Sequence, residues 1–344
     1  MKKPEKIRVA INGFGRIGRT TFKAILSKSN LQVVAINDLT EPDTLAHLLQ
    51  HDTSYRLYNK KIKARQGAVV VDGKSYRVFA QKDPAKLPWK KLRVDVVLEC
   101  TGRFRTKEEA TKHIKAGAKQ VIISAPAQGG GVPTLLLGVN ETKYKGEPVI
   151  NMGSCTTNCI APVIQIMCDK FGVKSSFMTT VHSYTADQNL QDGPHKDLRR
   201  ARAAAANIVP TTTGAAIATT EAIPELKNRF DGMAIRVPNA VVSISDFSML
   251  LKKKVTVDQI NKTLINASKN SQYRGILGIS DDPLVSTDYV GNEFSGVVDL
   301  LLTKVVDGNL VKIVVWYDNE WAYSLRLAEM SGYVGRKIKA KKHN

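Results

Sequence analysis

Three glycines constrain this chain more than any other feature. The apolar run Lys6–Asn12 reads as a short buried strand, and Gly13-Phe-Gly15-Arg-Ile-Gly18 follows it directly. Arg19 to Ser27 then reads as a helix. A glycine turn between strand and helix is the setting of the dinucleotide-binding fingerprint. Gly13 makes the turn, Gly15 admits the backbone to a pyrophosphate, and Gly18 lets the helix pack close on the strand. Alone, that pattern is weak. Here a second strand, Leu31–Asn37, follows, and Asp38 lies twenty residues past Gly18, where an acid that binds the adenosine ribose is expected. The other reading, a tight turn with a solvated Asp, fits this context poorly.

Strand and helix continue to alternate through Val94–Leu98, a helix near Thr106–Ala116 and a strand Gln120–Ile123. This predicts an α/β region with a doubly wound parallel sheet of the Rossmann type. Beyond Gly172 the pattern changes. Val173–Thr185, Ala234–Pro238 and Val241–Leu251 read as strands, and Val297–Lys304 and Leu310–Tyr317 as a hairpin around Asp307-Gly-Asn309. Helices are expected at Thr213–Ala222, Val257–Ser268 and Glu320–Ser331. The second region is therefore expected to be α+β with a largely antiparallel sheet. Ala186–Ile208 is long and lacks apolar periodicity, and long loops inside compact domains are usually functional.

The chemistry concentrates in the middle. Glu147–Asn151 is β-prone, and Ile160–Phe171 carries apolar residues at helical spacing up to Gly172. Cys155 falls between them, at a helix start capped by Ser154 or a neighbour. Unpaired N–H groups and the positive dipole end stabilise a thiolate there. A buried structural cysteine is the other reading. The strand from Phe177 delivers His182 near its end, and a Cys/His pair is a nucleophile with its base. Cys159 lies one turn on, about 6 Å along the axis. It reads as a small core residue rather than a redox partner, since a disulfide within a helix is strained. Cys100 and Cys168 read as structural.

Ser154-Cys-Thr-Thr-Asn158, His182-Ser-Tyr-Thr185 and Asn12-Gly-Phe-Gly-Arg-Ile-Gly-Arg19 resemble phosphorylating glyceraldehyde-3-phosphate dehydrogenases. So do Pro194-His-Lys-Asp-Leu-Arg-Arg200, Pro210-Thr-Thr-Thr-Gly-Ala215 and Trp316-Tyr-Asp-Asn-Glu-Trp321. The resemblance runs in the family's order from about Ile7 to Gly335. It implies a cofactor domain of residues 1–154 and 319–344, a catalytic domain of residues 155–318, and a homotetramer in which the 186–208 segment packs against a neighbouring subunit's cofactor site. It implies NAD held by Gly13, Gly15, Arg16, Ile17, Gly18, Asp38, Thr101, Gly102, Ser124 and Asn319. Thr185, Arg200 and Arg236 would hold the phosphate of glyceraldehyde 3-phosphate. Ser154, Thr156, Thr213 and Gly214 would hold the attacking inorganic phosphate. Arginine suits such roles because its planar fork grips two phosphate oxygens.

The chain departs from the family in places. Thr53-Ser-Tyr-Arg56 stands where Ser-Val-His-Gly is common, Ala186 where Asn is, Ile217 where Lys is, and Ala322 where Gly is. None removes a catalytic group, and Ala186 adjoins the expected substrate-phosphate pocket.

The implied reaction is oxidation of an aldehyde through a Cys155 hemithioacetal and thioester, with His182 as general base, ending in an acyl phosphate. Erythrose-4-phosphate dehydrogenase shares the Cys/His chemistry but hydrolyses the thioester. A rival outside enzymes comes from charge: 51 basic against 31 acidic residues leave +20, compatible with a nucleic-acid or scaffolding surface. The charge is dispersed, densest over Arg336–His343, without an RNA-binding motif, so nucleic acid is not expected as the primary ligand. No metal site is expected. No stretch approaches the ~18 apolar residues of a membrane span, and no signal peptide is read at Met1–Lys6. Four cysteines without a disulfide framework suit a cytoplasmic protein.

Overall fold

The computed structural model describes residues 5–340. Met1–Pro4 and the last basic residues, Lys341–His343, lie outside the described residues. The chain divides into two units. One comprises Met1–Leu135, Thr142–Met152 and Ser324–Asn344, the other Leu136–Glu141 and Gly153–Tyr323.

In the first unit six parallel strands run in the order Val149–Asn151, Gln120–Ile123, Val96–Glu99, Ile7–Asn12, Leu31–Asn37 and Lys74–Phe79. The winding direction reverses beside Ile7–Asn12, which opens a crevice at the carboxyl ends of the strands. The sheet is not parallel throughout. Ala68–Val71 and Ile62–Arg65 extend it antiparallel, through Asp72 and Gly73 at φ 47° and 81°. Positive φ at both central residues is the two-residue hairpin turn that matches strand twist. Near-continuous apolar strands bury both faces, with Trp89, Val97, Val121 and Ile123 fully enclosed. The helix Lys107–Lys115 begins at a reciprocal cap between Thr106 and Glu109. The C-terminal helix, Trp321–Ala340, runs nine residues past the expected Ser331.

The second unit holds a seven-stranded sheet ordered Val209–Thr212, Phe230–Val237, Val173–Ser183, Ser243–Leu251, Leu310–Tyr317, Gly296–Val306 and Leu277–Ser280. Four of its six pairings are antiparallel. The helix Cys155–Phe171 buries Ile160, Val163, Ile164 and Met167 among Phe247, Met249, Ile313 and Val315. Each such side chain contributes about 1.5–3 kcal/mol, which anchors the helix start where the chemistry lies. Residues 186–208 form neither helix nor strand. The Asn189 amide ties them together by donating to Gly193 O at 2.7 Å, and Arg202 pairs with Asp192 at 2.7 Å.

Candidate active site and nucleotide cleft

Cys155 is the first residue of its helix. Ser154 Oγ accepts from Thr157 N at 3.0 Å, and Thr157 Oγ1 accepts from Ser154 N at 3.1 Å. This double cap satisfies orphan donors and fixes the first turn. Gly153 enters it at φ 59°, where a Cβ would lie 2.9 Å from Thr157 Cγ2. His182 is the penultimate residue of Val173–Ser183, and the parallel neighbour strand places Arg236 opposite it. Cys155 Sγ lies 3.5 Å from His182 Nε2. The ring is 4% exposed and stands edge-on to Tyr317 at 5.9 Å. Tyr317 OH in turn lies 2.8 Å from both the Thr156 and Thr180 hydroxyls.

Behind the ring, Arg236 Nη1 lies 2.7 Å from His182 Nδ1 and donates to Ser183 O at 2.9 Å. Burial and the Arg236 charge push the His182 pKa down to about 3. Burial raises the Cys155 thiol, against the pull of Arg236, the Thr156 hydroxyl and the N–H groups of the helix start. In both groups burial is the largest cause and disfavours the charged form. The other cysteines are quieter. Burial puts Cys100 and Cys168 at about 12 and drives Cys159 well above its ordinary value. All four thiols are free.

The expected anion-binding residues divide. Arg236 Nε and Gln188 Nε2 are buried donors without a partner among the described residues. Gln188 belongs to the Thr185 turn, its Oε1 accepting from Thr185 N at 3.2 Å. Gln188 and Arg236 thus offer unspent donors, and sequence reading had overlooked Gln188. Arg200 is already engaged, with Thr211 Oγ1 and Thr212 O at 2.9 Å each and Asp187 in an ion pair. Thr156 directs its hydroxyl inward to Tyr317, and Ser154 spends its own on the cap. Thr213 Oγ1 accepts from Ala215 N at 3.2 Å, beside the exposed Gly214 that caps Ala215–Ala222. No hydrogen bond joins Ser154 or Thr156 to Thr213 or Gly214 among the described residues. Asn319 Oδ1 is held by the Ser183 and Ser243 hydroxyls at 2.9 and 3.2 Å, which fixes the amide's orientation.

The first unit carries a separate cleft of ≈ 540 Å³ at its strand ends. Gly13, Gly15, Asp38 and Thr101 line it, together with Gln81, Lys82 and Phe104. Arg16, Ile17, Gly18, Gly102 and Ser124 do not. Arg16 instead pairs with Asp52 at 2.7 Å. The glycines divide their labour by space. Gly13 is at φ 90°, and a Cβ there would meet Thr101 N at 2.7 Å. A Cβ on Gly18 would lie 2.0 Å from Gly13 O, while Gly15 has nothing within 4 Å. The open space at Gly15, facing a helix N-terminus, fits a pyrophosphate. Asp38 accepts from Phe14 N at 2.7 Å and Thr40 N at 3.0 Å, which points its carboxylate at the cleft. These residues fit NAD.

Two family models match the chain. One, described as the NAD binding domain of glyceraldehyde 3-phosphate dehydrogenase, covers residues 7–107, and the C-terminal domain of the same enzyme covers residues 154–319. Curated relatives agree. A glyceraldehyde-3-phosphate dehydrogenase of Geobacillus stearothermophilus is 49% identical over 333 residues, 96% of this chain and 99% of the relative. One from Clostridium acetobutylicum is 49% identical over 335 residues, 96% and 98% of the two chains. Glyceraldehyde-3-phosphate dehydrogenase 2 of Streptomyces avermitilis is 46% identical over 335 residues, covering 96% and 99%.

Proposed function

The chain belongs to the glyceraldehyde-3-phosphate dehydrogenase family, and on that premise we propose that it oxidises D-glyceraldehyde 3-phosphate to 1,3-bisphosphoglycerate through a thioester on Cys155. One observation carries this reading: Cys155 Sγ stands 3.5 Å from His182 Nε2 at a capped helix start.

An aldehyde gives up hydride readily only after a nucleophile has added to it. Cys155 loses its proton to His182 and adds to the carbonyl, forming a hemithioacetal. The Cys155 backbone N–H and the His182 N–H hold the developing oxyanion. His182 returns its proton to that oxygen, giving the hydroxyl, then takes it back as hydride leaves, and a thioester remains. Bound NAD supplies the hydride acceptor. Asp38 would hold the adenosine ribose and the loop at Gly15 the pyrophosphate, and Asn319 would hold the carboxamide. The thioester keeps energy that hydrolysis would dissipate, and inorganic phosphate releases it as an acyl phosphate. Thr185, Gln188 and Arg236 bind the substrate's own phosphate, with Arg200 joining once Asp187 yields it. Thr213 and Gly214, with Ser154 and Thr156, receive the attacking phosphate after the Thr156 hydroxyl turns from Tyr317.

The cofactor region corresponds to residues 1–154 and 319–344 and the catalytic region to 155–318. A homotetramer is supported by large apolar side chains left exposed, among them Phe177, Leu198, Ile208, Ile217 and Leu301. Four unpaired thiols support a reducing cytoplasm. No helix among the described residues is long and apolar enough to cross a membrane.

Turnover on glyceraldehyde 3-phosphate and on erythrose 4-phosphate, each with and without inorganic phosphate, tests the reading. We expect preference for the triose and a strict need for phosphate. Phosphate-independent turnover of the tetrose would favour thioester hydrolysis instead.

A further inference from the structure

Taking the cleft of the first unit as the NAD site, we propose that Glu99 and His113 are positioning residues for the cofactor. They hold Thr101 and Gln81 in place through a buried hydrogen-bonded relay and do not touch NAD themselves.

The relay is built on one rung of the parallel sheet. Asn12, Asn37 and Glu99 end three adjacent strands and lie side by side in register. All three are buried. Asn37 Nδ2 donates to Asn12 Oδ1 at 2.6 Å, and Asn12 Nδ2 donates to Glu99 Oε2 at 2.5 Å. His113 Nε2 lies 3.0 Å from the same oxygen. Glu99 Oε1 accepts from Thr101 N at 2.8 Å and from the Thr101 hydroxyl. His113 is fully enclosed, and Trp89 Nε1 donates to its Nδ1 at 2.9 Å. Asn12, Asn37, Gln81 and Thr101 line the cleft, whereas Glu99, His113 and Trp89 stand behind it.

Both ends of the relay are pinned. An indole N–H only donates, so His113 Nδ1 carries the lone pair and Nε2–H donates to Glu99. At the other end the Gln81 main chain holds one amide from both sides. Gln81 N donates to Asn37 Oδ1 at 2.9 Å, and Gln81 O accepts from Asn37 Nδ2 at 3.0 Å. Main-chain groups cannot exchange those roles, so Asn37 has one orientation and imposes one on Asn12. Every bond therefore runs toward Glu99, and only a carboxylate, which accepts at both oxygens, closes the relay. Such networks are strong when every member is satisfied and costly when one is not.

The relay ties together the loops that meet the nucleotide. Gly13 and Asp38 directly follow Asn12 and Asn37, Gln81 follows the strand Lys74–Phe79, and Thr101 follows the strand that ends at Glu99. One carboxylate thus sets the relative position of backbone from four strands before the cofactor arrives. Preorganisation of that kind raises affinity by removing ordering that binding would otherwise have to supply. His113 also stands edge-on to Phe104, another residue of the cleft wall, at 6.5 Å.

The test compares full-length variants by titration calorimetry with NAD. Glu99→Gln keeps the shape but turns an amide nitrogen against either Thr101 N–H or the Asn12 and His113 donors. It should weaken NAD about tenfold, the factor that ~1.4 kcal/mol gives, and raise KM for NAD with kcat unchanged. Hydrogen exchange in the free protein should quicken at Gln81 and Thr101 and hold at Val149–Asn151. His113→Leu should act in the same direction. His113→Gln, which keeps an acceptor and a donor, should bind NAD as the unmodified protein does. Val121→Ala, in the same apolar core, should lower the melting temperature and leave NAD affinity unchanged. If Glu99→Gln does not fold, the two His113 variants decide. Unchanged NAD affinity in Glu99→Gln or in His113→Leu overturns the proposal, as does an equal loss of affinity in Val121→Ala. Failure of the unmodified protein to bind NAD overturns the reading of the cleft instead.

Discussion

The nucleotide cleft and the active site are built from different materials. The cleft is shaped by backbone: Gly13 at positive φ, Gly18 against Gly13 O, and open space at Gly15. Asp38 lines it, and two backbone N–H groups, of Phe14 and Thr40, aim its carboxylate. The active site is made of side chains that hold one another. Cys155, His182, Arg236, Thr156 and Tyr317 occupy three strands and a helix, and several are bonded to each other rather than free for a ligand. A site built from backbone is ready when the chain folds. One built from polar side chains has competing partners to exchange when substrate arrives.

The largest expected effect lies on the side-chain half. Cys155→Ser should abolish dehydrogenase activity and keep NAD binding, because the cleft shares no residue with Cys155. Iodoacetamide should label Cys155 first of the four thiols, since burial raises Cys100 and Cys168 to about 12. Retained activity, or faster labelling of Cys100, would break the contrast. Next, His182→Asn should lower the rate by roughly 10²–10⁴-fold and slow alkylation; unchanged pre-steady-state NADH formation would remove His182 from its role.

Two glycines sharpen the backbone half. Gly18→Ala forces a methyl to 2.0 Å from Gly13 O, and overpacking of that kind costs about 1–3 kcal/mol. Gly15→Ala meets nothing. It should leave the melting temperature unchanged and weaken NAD about tenfold, or ~1.4 kcal/mol, by filling the approach to the pyrophosphate. Titration calorimetry and thermal melts separate the two, and equal loss of stability in both would contradict the division of labour. Asp38→Ala should erode a preference for NAD over NADP of about tenfold, which is what a third of ~4 kcal/mol between close like charges leaves. Equal use of both cofactors by the unmodified protein would show that Asp38 faces away from the ribose.

The remaining effect is on the pH dependence of stability and leaves turnover aside. The folded pKa of His182, about 3, lies below its ordinary 6.5, so between those values the unfolded chain binds a proton that the folded chain refuses. Stability present above about pH 6.5 is lost as pH falls through this window, by about 2 kcal/mol at pH 5. Denaturant titrations should show a shallower acid slope for His182→Asn. An unchanged slope would mean that His182 is protonated in the fold.

The same contrast explains what was legible in the sequence. Glycine spacing reports backbone geometry directly, so the strand, turn and helix around Gly13 and the position of Asp38 could be read without tertiary information. The Cys155 helix start was equally plain from Ser154 and the apolar period after Ile160. The antiparallel edge at Ile62–Phe79 went unread although Asp72-Gly73 is a hairpin signal, and with it the strand end that brings Gln81 and Lys82 to the cleft. Arg236 beside His182 follows from parallel register between strands about fifty residues apart, which local pattern does not encode. The inward turn of Thr156 depends on Tyr317, itself brought near only by the sheet.

The most direct test of the central claim is a search for the covalent intermediate. The protein is mixed with NAD and glyceraldehyde 3-phosphate in the absence of inorganic phosphate, quenched in acid and mapped by peptide mass spectrometry. We predict an acyl adduct on the peptide carrying Cys155, one per chain, that disappears when phosphate is added before the quench. NADH formed in stoichiometric amount without that adduct, or an adduct on another cysteine, would contradict the account.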